Sequence, residues 1–300
     1  MPRQTPAAPG TTRTADGFTI GTLEQVAPHP GAPLLVCLPG GSCTSKYFDV
    51  PGFSLLDDAA GAGIDAVALD RPNYASSDAL APQQTTFARN AEILDAAIAS
   101  LWRRVGAGHS GVVLVGHSIG GAIAVHIAAM PSHDWPLLGL SVTGFAEESP
   151  EGVVDTWHGL PADQPLVFND EQRRMFMFGP DGSFDADAIE RSAPAFQFVP
   201  LAELTEIVGG WRNDFPRLAE NVRVPVQYRL AEFDQLWIVS QESVDELRGR
   251  FTNAPSVDAT LARGTGHNID HHHAGRAWHQ EQLAFARRCS EQVTEPARAT

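Results

Sequence analysis

Cysteine is scarce, and its three positions, Cys37, Cys43 and Cys289, are odd in number. That excludes a disulfide framework and fits a reduced, cytoplasmic setting. Cys37 falls in an apolar run and reads as a small core residue, whereas Cys43 lies in a loop. No segment approaches the roughly 18 consecutive apolar residues of a membrane-spanning helix. Positive charge is also short: 21 Lys and Arg face 36 Asp and Glu, a formal net charge of −15. Nucleic acid and anionic membrane surfaces are therefore excluded as partners. Met1 to Thr14 is rich in Pro, Thr and Ala with no apolar core. It resembles neither a signal peptide nor an anchor, and residues 1–16 are assigned to a disordered tail.

What remains is an ordinary globular composition of 300 residues, 43% apolar, enough for one large α/β domain. Gly17 to Ala27 alternates loosely and predicts an antiparallel strand or hairpin. A continuous apolar run at Leu34–Leu38 predicts a buried parallel strand, and further strands are predicted over Asp65–Leu69, Val112–Val115 and Leu137–Thr143. Helices are predicted over Phe53–Gly61, Phe87–Val105 and Ile119–Met130. The alternation predicts a doubly wound, mostly parallel sheet.

The rhythm breaks from Ala146 to Arg223, where seven prolines punctuate short helical pieces. It resumes with a strand over Val224–Leu230, a helix over Trp237–Phe251, a strand over Val257–Leu261 and a helix over His271–Cys289. The division is thus a core of 17–145 and 224–300 with a helical insertion, 146–223, over the sheet's C-terminal edge. Ligands bind at that edge in open α/β folds. The insertion carries Trp157, Phe168, Met175, Phe176, Met177, Phe178, Phe184, Phe196, Phe198 and Trp211. Some of this surface should face a site and the rest form the insertion's own core.

Gly116-His117-Ser118-Ile119-Gly120 follows an apolar strand and opens a small-residue helix. A serine between glycines in that setting reads as a nucleophile elbow, its hydroxyl exposed at a helix N-terminus. A serine hydroxyl needs a general base, and the base needs a group that fixes its tautomer. Among eleven histidines, His267 lies in a small-residue loop between a strand and the last helix. That loop can bring it over Ser118. As a candidate base, His117 is weaker because it should point away from the pocket and pack, and His126 sits two turns along the helix. His271, His272 and His273 are expected to open a helix, where consecutive side chains diverge too far to chelate, so no metal is expected. Asp234, just past the strand ending at Leu230, is the favoured acid. Glu232, Glu147 and Glu148 are the alternatives.

The oxyanion donors are expected to be the amides of Ile119 and Gly41, with Ser42 as the alternative to Gly41. Candidate substrate contacts are Gly40, His117, Phe145, Trp157, Phe176 and Phe178. No cofactor is expected.

These residues carry a resemblance. Leu38-Pro39-Gly40-Gly41, Asp70-Arg71-Pro72-Asn73-Tyr74-Ala75-Ser76-Ser77-Asp78, the elbow, Ala231-Glu232-Phe233-Asp234 and Gly266-His267 together resemble the α/β-hydrolase superfamily over residues 17 to 290. The chain order Ser118, Asp234, His267 is that of this superfamily. Many members carry His-Gly where this chain has Pro39-Gly40, and Asn73 and Ala75 stand where glycines are usual. A serine at the elbow argues against the dehalogenases and epoxide hydrolases of similar fold, which use aspartate there. The resemblance implies an α/β-hydrolase fold with a helical cap and a cofactor-independent serine hydrolase. Its substrate would be a partly apolar small-molecule ester, lactone or thioester, and the protein a monomer or homodimer. Carbon–carbon bond hydrolysis, acyl transfer, or ligand binding without turnover are the alternatives.

Overall fold

The computed structural model describes residues 6–27, 29–160 and 166–294. Its strands are β1 (Ala8–Arg13), β2 (Thr19–Gln25), β3 (Leu34–Leu38), β4 (Asp65–Leu69), β5 (Val112–His117), β6 (Leu137–Thr143), β7 (Val226–Ala231) and β8 (Val257–Ala262). They form one sheet in the order β1-β2-β4-β3-β5-β6-β7-β8. β2 pairs antiparallel with β1 and β4, and the strands from β4 to β8 are parallel. The helices are α1 (Leu55–Gly61), α2 (Phe87–Val105), α3 (Ile119–Ala128), α4 (Glu151–His158), α5 (Asp170–Met177), α6 (Ala188–Ser192), α7 (Leu201–Gly209), α8 (Trp211–Asn221), α9 (Gln241–Arg250) and α10 (Gly275–Thr294).

Alternate residues of the central strands enter opposite cores, as the two-residue period of a strand requires. Leu34, Val36 and Leu38 of β3, with Val112 and Leu114 of β5, pack on one face with α2 and α3. Leu35 and Cys37, with Val113 and Val115, pack on the other with α1 and α10. Both faces are covered, which is why β3, β4 and β5 are buried throughout and are largely apolar. α2 shows its limits in sequence. The side chain of Thr86 accepts the Arg89 amide at its start, and Gly106 follows its last residue.

Three expectations change. The assigned tail contains β1, residues 1–5 of it lying outside the described residues. β1 needs little apolar content because it is an edge strand held by main-chain pairing to β2, with only Thr12 buried. His271 to His273 do not open a helix. His271 ends a 3₁₀ turn over Ile269–His271, and α10 starts at Gly275. Pro216 lies inside α8 instead of between helical pieces.

Register brings the C-terminal strand ends together. Leu38 of β3 stands opposite Gly116 of β5, His117 opposite Thr143 of β6, and Thr143 opposite Arg229 of β7. The loops after β3, β5, β6 and β7 thus emerge side by side. Helices α4 to α8 lie between β6 and β7. Trp157, Met177 and Leu204 of these helices and Phe168, just before α5, share a third apolar cluster with Val50 and Phe53.

Candidate active site

Ser118 joins β5 to α3 with φ 53° and ψ −125°. A non-glycine residue with positive φ is strained and persists only where its surroundings enforce it. They do so here. A Cβ on Gly116 would stand 2.6 Å from the Gly121 Cα, and one on Gly120 would collide with the Leu38 carbonyl. The Ser118 amide donates to the Thr143 carbonyl at 2.8 Å. Among the described residues, the other non-glycine positive φ values belong to Ser42, Asn73 and Ala75. The last two are the positions where glycine is usual in the resemblance, so the left-handed backbone is kept without it.

Nδ1 of His267 stands 2.7 Å from Oδ2 of Asp234, with both side chains buried. The second Asp234 oxygen accepts the Leu236 amide at 3.0 Å. An Nδ1–H held by this carboxylate leaves Nε2 as the acceptor. Ser118 and His267 line the same cavity. Glu232 is occupied elsewhere, by Arg263 at 2.6 Å and the Gly264 amide at 2.9 Å. Glu147 pairs with Arg250 and Glu148 with Arg212.

The loop bearing His267 is fastened to the segment after α5. The Asn268 amide donates to the Met177 carbonyl at 2.9 Å. Nε2 of His272 accepts the amides of Gly179 at 2.9 Å and Gly266 at 3.0 Å. Its Nδ1 must then donate to the Asn268 carbonyl at 2.8 Å. Burial lowers His272 to about 4, which keeps this neutral tautomer.

His117 stacks on Tyr47, with ring centroids 4.5 Å apart, and reaches Thr143 and Asn268. Burial holds it well below the usual histidine range. It packs as expected, but it does not point away from the pocket: it lines the cavity while stacked on Tyr47. His126 is half-buried between Phe87 and Trp211. His271 faces the Tyr47 carbonyl and His273 faces Asp185, so the three consecutive histidines do not converge. Among the described residues no cluster of three or more His, Cys, Asp or Glu could hold a metal ion.

Gly41 and Ile119 both line the cavity. The Ser42 amide donates to the Tyr74 hydroxyl at 3.3 Å. Of the expected substrate contacts, His117 and Trp157 line the cavity, and four others do not. Gly40 lies against Ser118 instead, where an added Cβ would stand 3.0 Å from the serine Cβ. Phe145 is turned into the core by Gly144 (φ 74°) and packs on Trp211, Phe215 and Tyr228. Phe176 packs behind Trp157 and Phe168, and Phe178 against Phe184 and His272.

Sequence reasoning missed Val153, Leu204, Ile207 and Val208, which line the cavity with Phe168 and Met177. Their only signal is helical spacing, Val153 with Trp157 and Leu204 with Ile207 and Val208, which also suits a helix's own core. Cys43 lines the cavity too, its thiol pushed up to about 12 by burial and so not a thiolate. The cavity is small, about 40 Å³, and its wall is chiefly apolar.

A doubly wound sheet with a strained serine after its central strand, and a histidine–carboxylate pair at the same edge, defines an α/β protein with a hydrolase type of site. The model of the alpha/beta hydrolase family matches residues 35–284, and the chain belongs to that family. No curated protein matches the chain. Solved structures of similar fold include a thermophilic esterase from Thermogutta terrifontis. It is 17% identical with TM-score 0.66, and the match covers 95% of this chain and 100% of that one. A thioesterase domain from the curacin biosynthetic pathway is 14% identical with TM-score 0.64, covering 94% and 99%. A lipase-esterase related protein from Clostridium acetobutylicum is 15% identical with TM-score 0.66, covering 89% and 99%. At such identities the likeness is one of fold. No helix among the described residues is long and apolar enough to cross a membrane.

Proposed function

We propose that this chain is a serine hydrolase that cleaves a carboxylic ester, lactone or thioester through an acyl-enzyme on Ser118. The observation that carries the reading is the 2.7 Å contact of His267 with Asp234 at a cavity that the strained Ser118 shares. His267 Nε2 takes the hydroxyl proton as Ser118 attacks the carbonyl carbon, and Asp234 stabilises the imidazolium. The amides of Ile119 and Gly41 receive the developing oxyanion, each contributing about 3 kcal/mol to lowering the barrier. His267 then gives its proton to the leaving alcohol or thiol. It next activates the water that releases the acid. Residues 146–223 act as a cap whose apolar side chains select the acyl group. The narrow space favours a slender one. The esterase and thioesterase names borne by similar structures are consistent with this chemistry.

The test is a panel of p-nitrophenyl esters, thioesters and lactones offered to the wild type and to Ser118→Ala. A fluorophosphonate should label the wild type at Ser118, and Ser118→Ala should abolish both labelling and turnover. Turnover that survives in Ser118→Ala would overturn the reading.

A further inference from the structure

Arg71 is fully buried, and it is spent on the loop that precedes Gly41. Its Nε–H donates to the Pro39 carbonyl at 2.9 Å and an Nη2–H to the Gly40 carbonyl at 3.0 Å. The rest of the guanidinium meets Glu203 of α7 in a bidentate pair, at 2.7 and 3.0 Å. Glu203 is also fully buried, and the Tyr74 hydroxyl donates to it at 2.8 Å. The same hydroxyl accepts the Ser42 amide, and the guanidinium lies over the Tyr74 ring.

Removing two opposite charges from water costs several kcal/mol for each ion, and apolar side chains of similar volume would fill the space more cheaply. The geometry indicates what the charges do. No peptide bond among the described residues is cis. In a trans peptide the N–H points opposite to the carbonyl of the preceding residue. The Gly40 carbonyl points at Arg71, so the Gly41 N–H points away from it. Gly41 lines the cavity and Arg71 does not.

We infer that Arg71 is the positioning residue of the oxyanion hole: its fork on the Pro39 and Gly40 carbonyls sets the Gly41 amide toward Ser118, with buried Glu203 as its counter-ion. This inference rests on the serine-hydrolase reading. A lysine in its place keeps the charge facing Glu203 but lacks the rigid planar fork that spans both carbonyls. Glu203 sits beside Leu204 on α7, so the helix that walls the cavity also anchors the donor.

The experiment compares wild type, Arg71→Lys and the charge-free pair Arg71→Met with Glu203→Leu on a p-nitrophenyl ester. Rates are normalised to Ser118 titrated with fluorophosphonate, and phenylboronic acid serves as a probe that forms a tetrahedral adduct. The expected result is a kcat lower by about 10²-fold per titrated serine, the effect of losing one oxyanion donor, with KM within about threefold. Boronate affinity should weaken in parallel. A merely structural role would lower the melting temperature and the titratable fraction but leave kcat per titrated serine unchanged. If Arg71→Lys does not fold, the charge-free pair supplies the same readout. A folded variant that keeps wild-type kcat and boronate affinity overturns the inference alone. A wild type with no Ser118-dependent labelling or turnover overturns the serine-hydrolase reading, and this inference with it.

Discussion

Asp234 and His267 are 33 positions apart in the chain, yet Oδ2 of one lies 2.7 Å from Nδ1 of the other. The carboxylate arrives directly after β7 and the imidazole on the loop after β8, neighbouring parallel strands whose ends lie side by side. Under the proposed mechanism, an amide at 234 would no longer hold the His267 tautomer or stabilise its cation. Asp234→Asn is therefore predicted to lower kcat by about 10³- to 10⁴-fold with little change in melting temperature. Glu232→Gln, which alters a pair with surface Arg263, should leave kcat within about twofold. Steady-state kinetics on any ester the wild type cleaves decides both.

Trp157 lines the cavity and rests against Phe168. Trp157→Ala should open the space available to the acyl chain. The kcat/KM ratio of p-nitrophenyl octanoate to acetate is predicted to rise by about tenfold or more, within the range of hydrophobic pocket discrimination. The same change should cost about 3–5 kcal/mol of stability, so the comparison is best made at low temperature. An unchanged chain-length preference would remove Trp157 from the acyl site.

His279 lies between two carboxylates, with Nε2 3.1 Å from Asp270 and Nδ1 2.9 Å from Asp58. Asp270 also accepts the Tyr47 hydroxyl and sits within the His271 turn, so this cluster ties α10 and α1 to the segment after His267. Despite burial, which alone would lower it, hydrogen bonds donated to both carboxylates raise His279 to about 9, from 6.5. A raised histidine stabilises the fold fully below 6.5, and that contribution is lost as pH rises through 9. The shift corresponds to about 3 kcal/mol. Urea unfolding should show wild-type stability declining between pH 7 and 9.5. His279→Leu should lose about that amount at pH 7 and flatten the decline.

Ala75 holds φ at 46° in an exposed loop, and its amide donates to Gln197 Oε1 at 2.9 Å. Ala75→Gly relieves the left-handed strain at some cost in unfolded-chain entropy. It should stabilise by about 0.5–1 kcal/mol. A higher urea midpoint with unchanged activity is the expected result, and a lower midpoint would contradict it.

Local pattern was sufficient for the core elements. β4, β6 and α2 occupy the ranges expected from their apolar runs, because strands buried on both faces and a long one-faced helix leave strong periodic signals. The elbow and the order Ser118, Asp234, His267 were legible for a related reason. In a parallel sheet each strand's C-terminal end returns to one edge, so a residue's place after its strand predicts its neighbours in space. β1 was not legible, since an edge strand held by main-chain bonds needs no apolar run.

The sequence by itself determined the parallel strands from β3 to β8, their alternation with helices and the few residues that strand ends bring together. Tertiary structure alone decided which aromatics wall the cavity. Trp157 and Phe168 face it, while Phe145, Phe176 and Phe178 turn elsewhere, because neither a short helix with apolar residues on several faces nor the loop beside it has a preferred inward side until it packs. It also decided that Arg71 meets Glu203 across 132 positions. No local period encodes such a pair, which forms only when the loop bearing Gly41 and helix α7 pack against the same guanidinium.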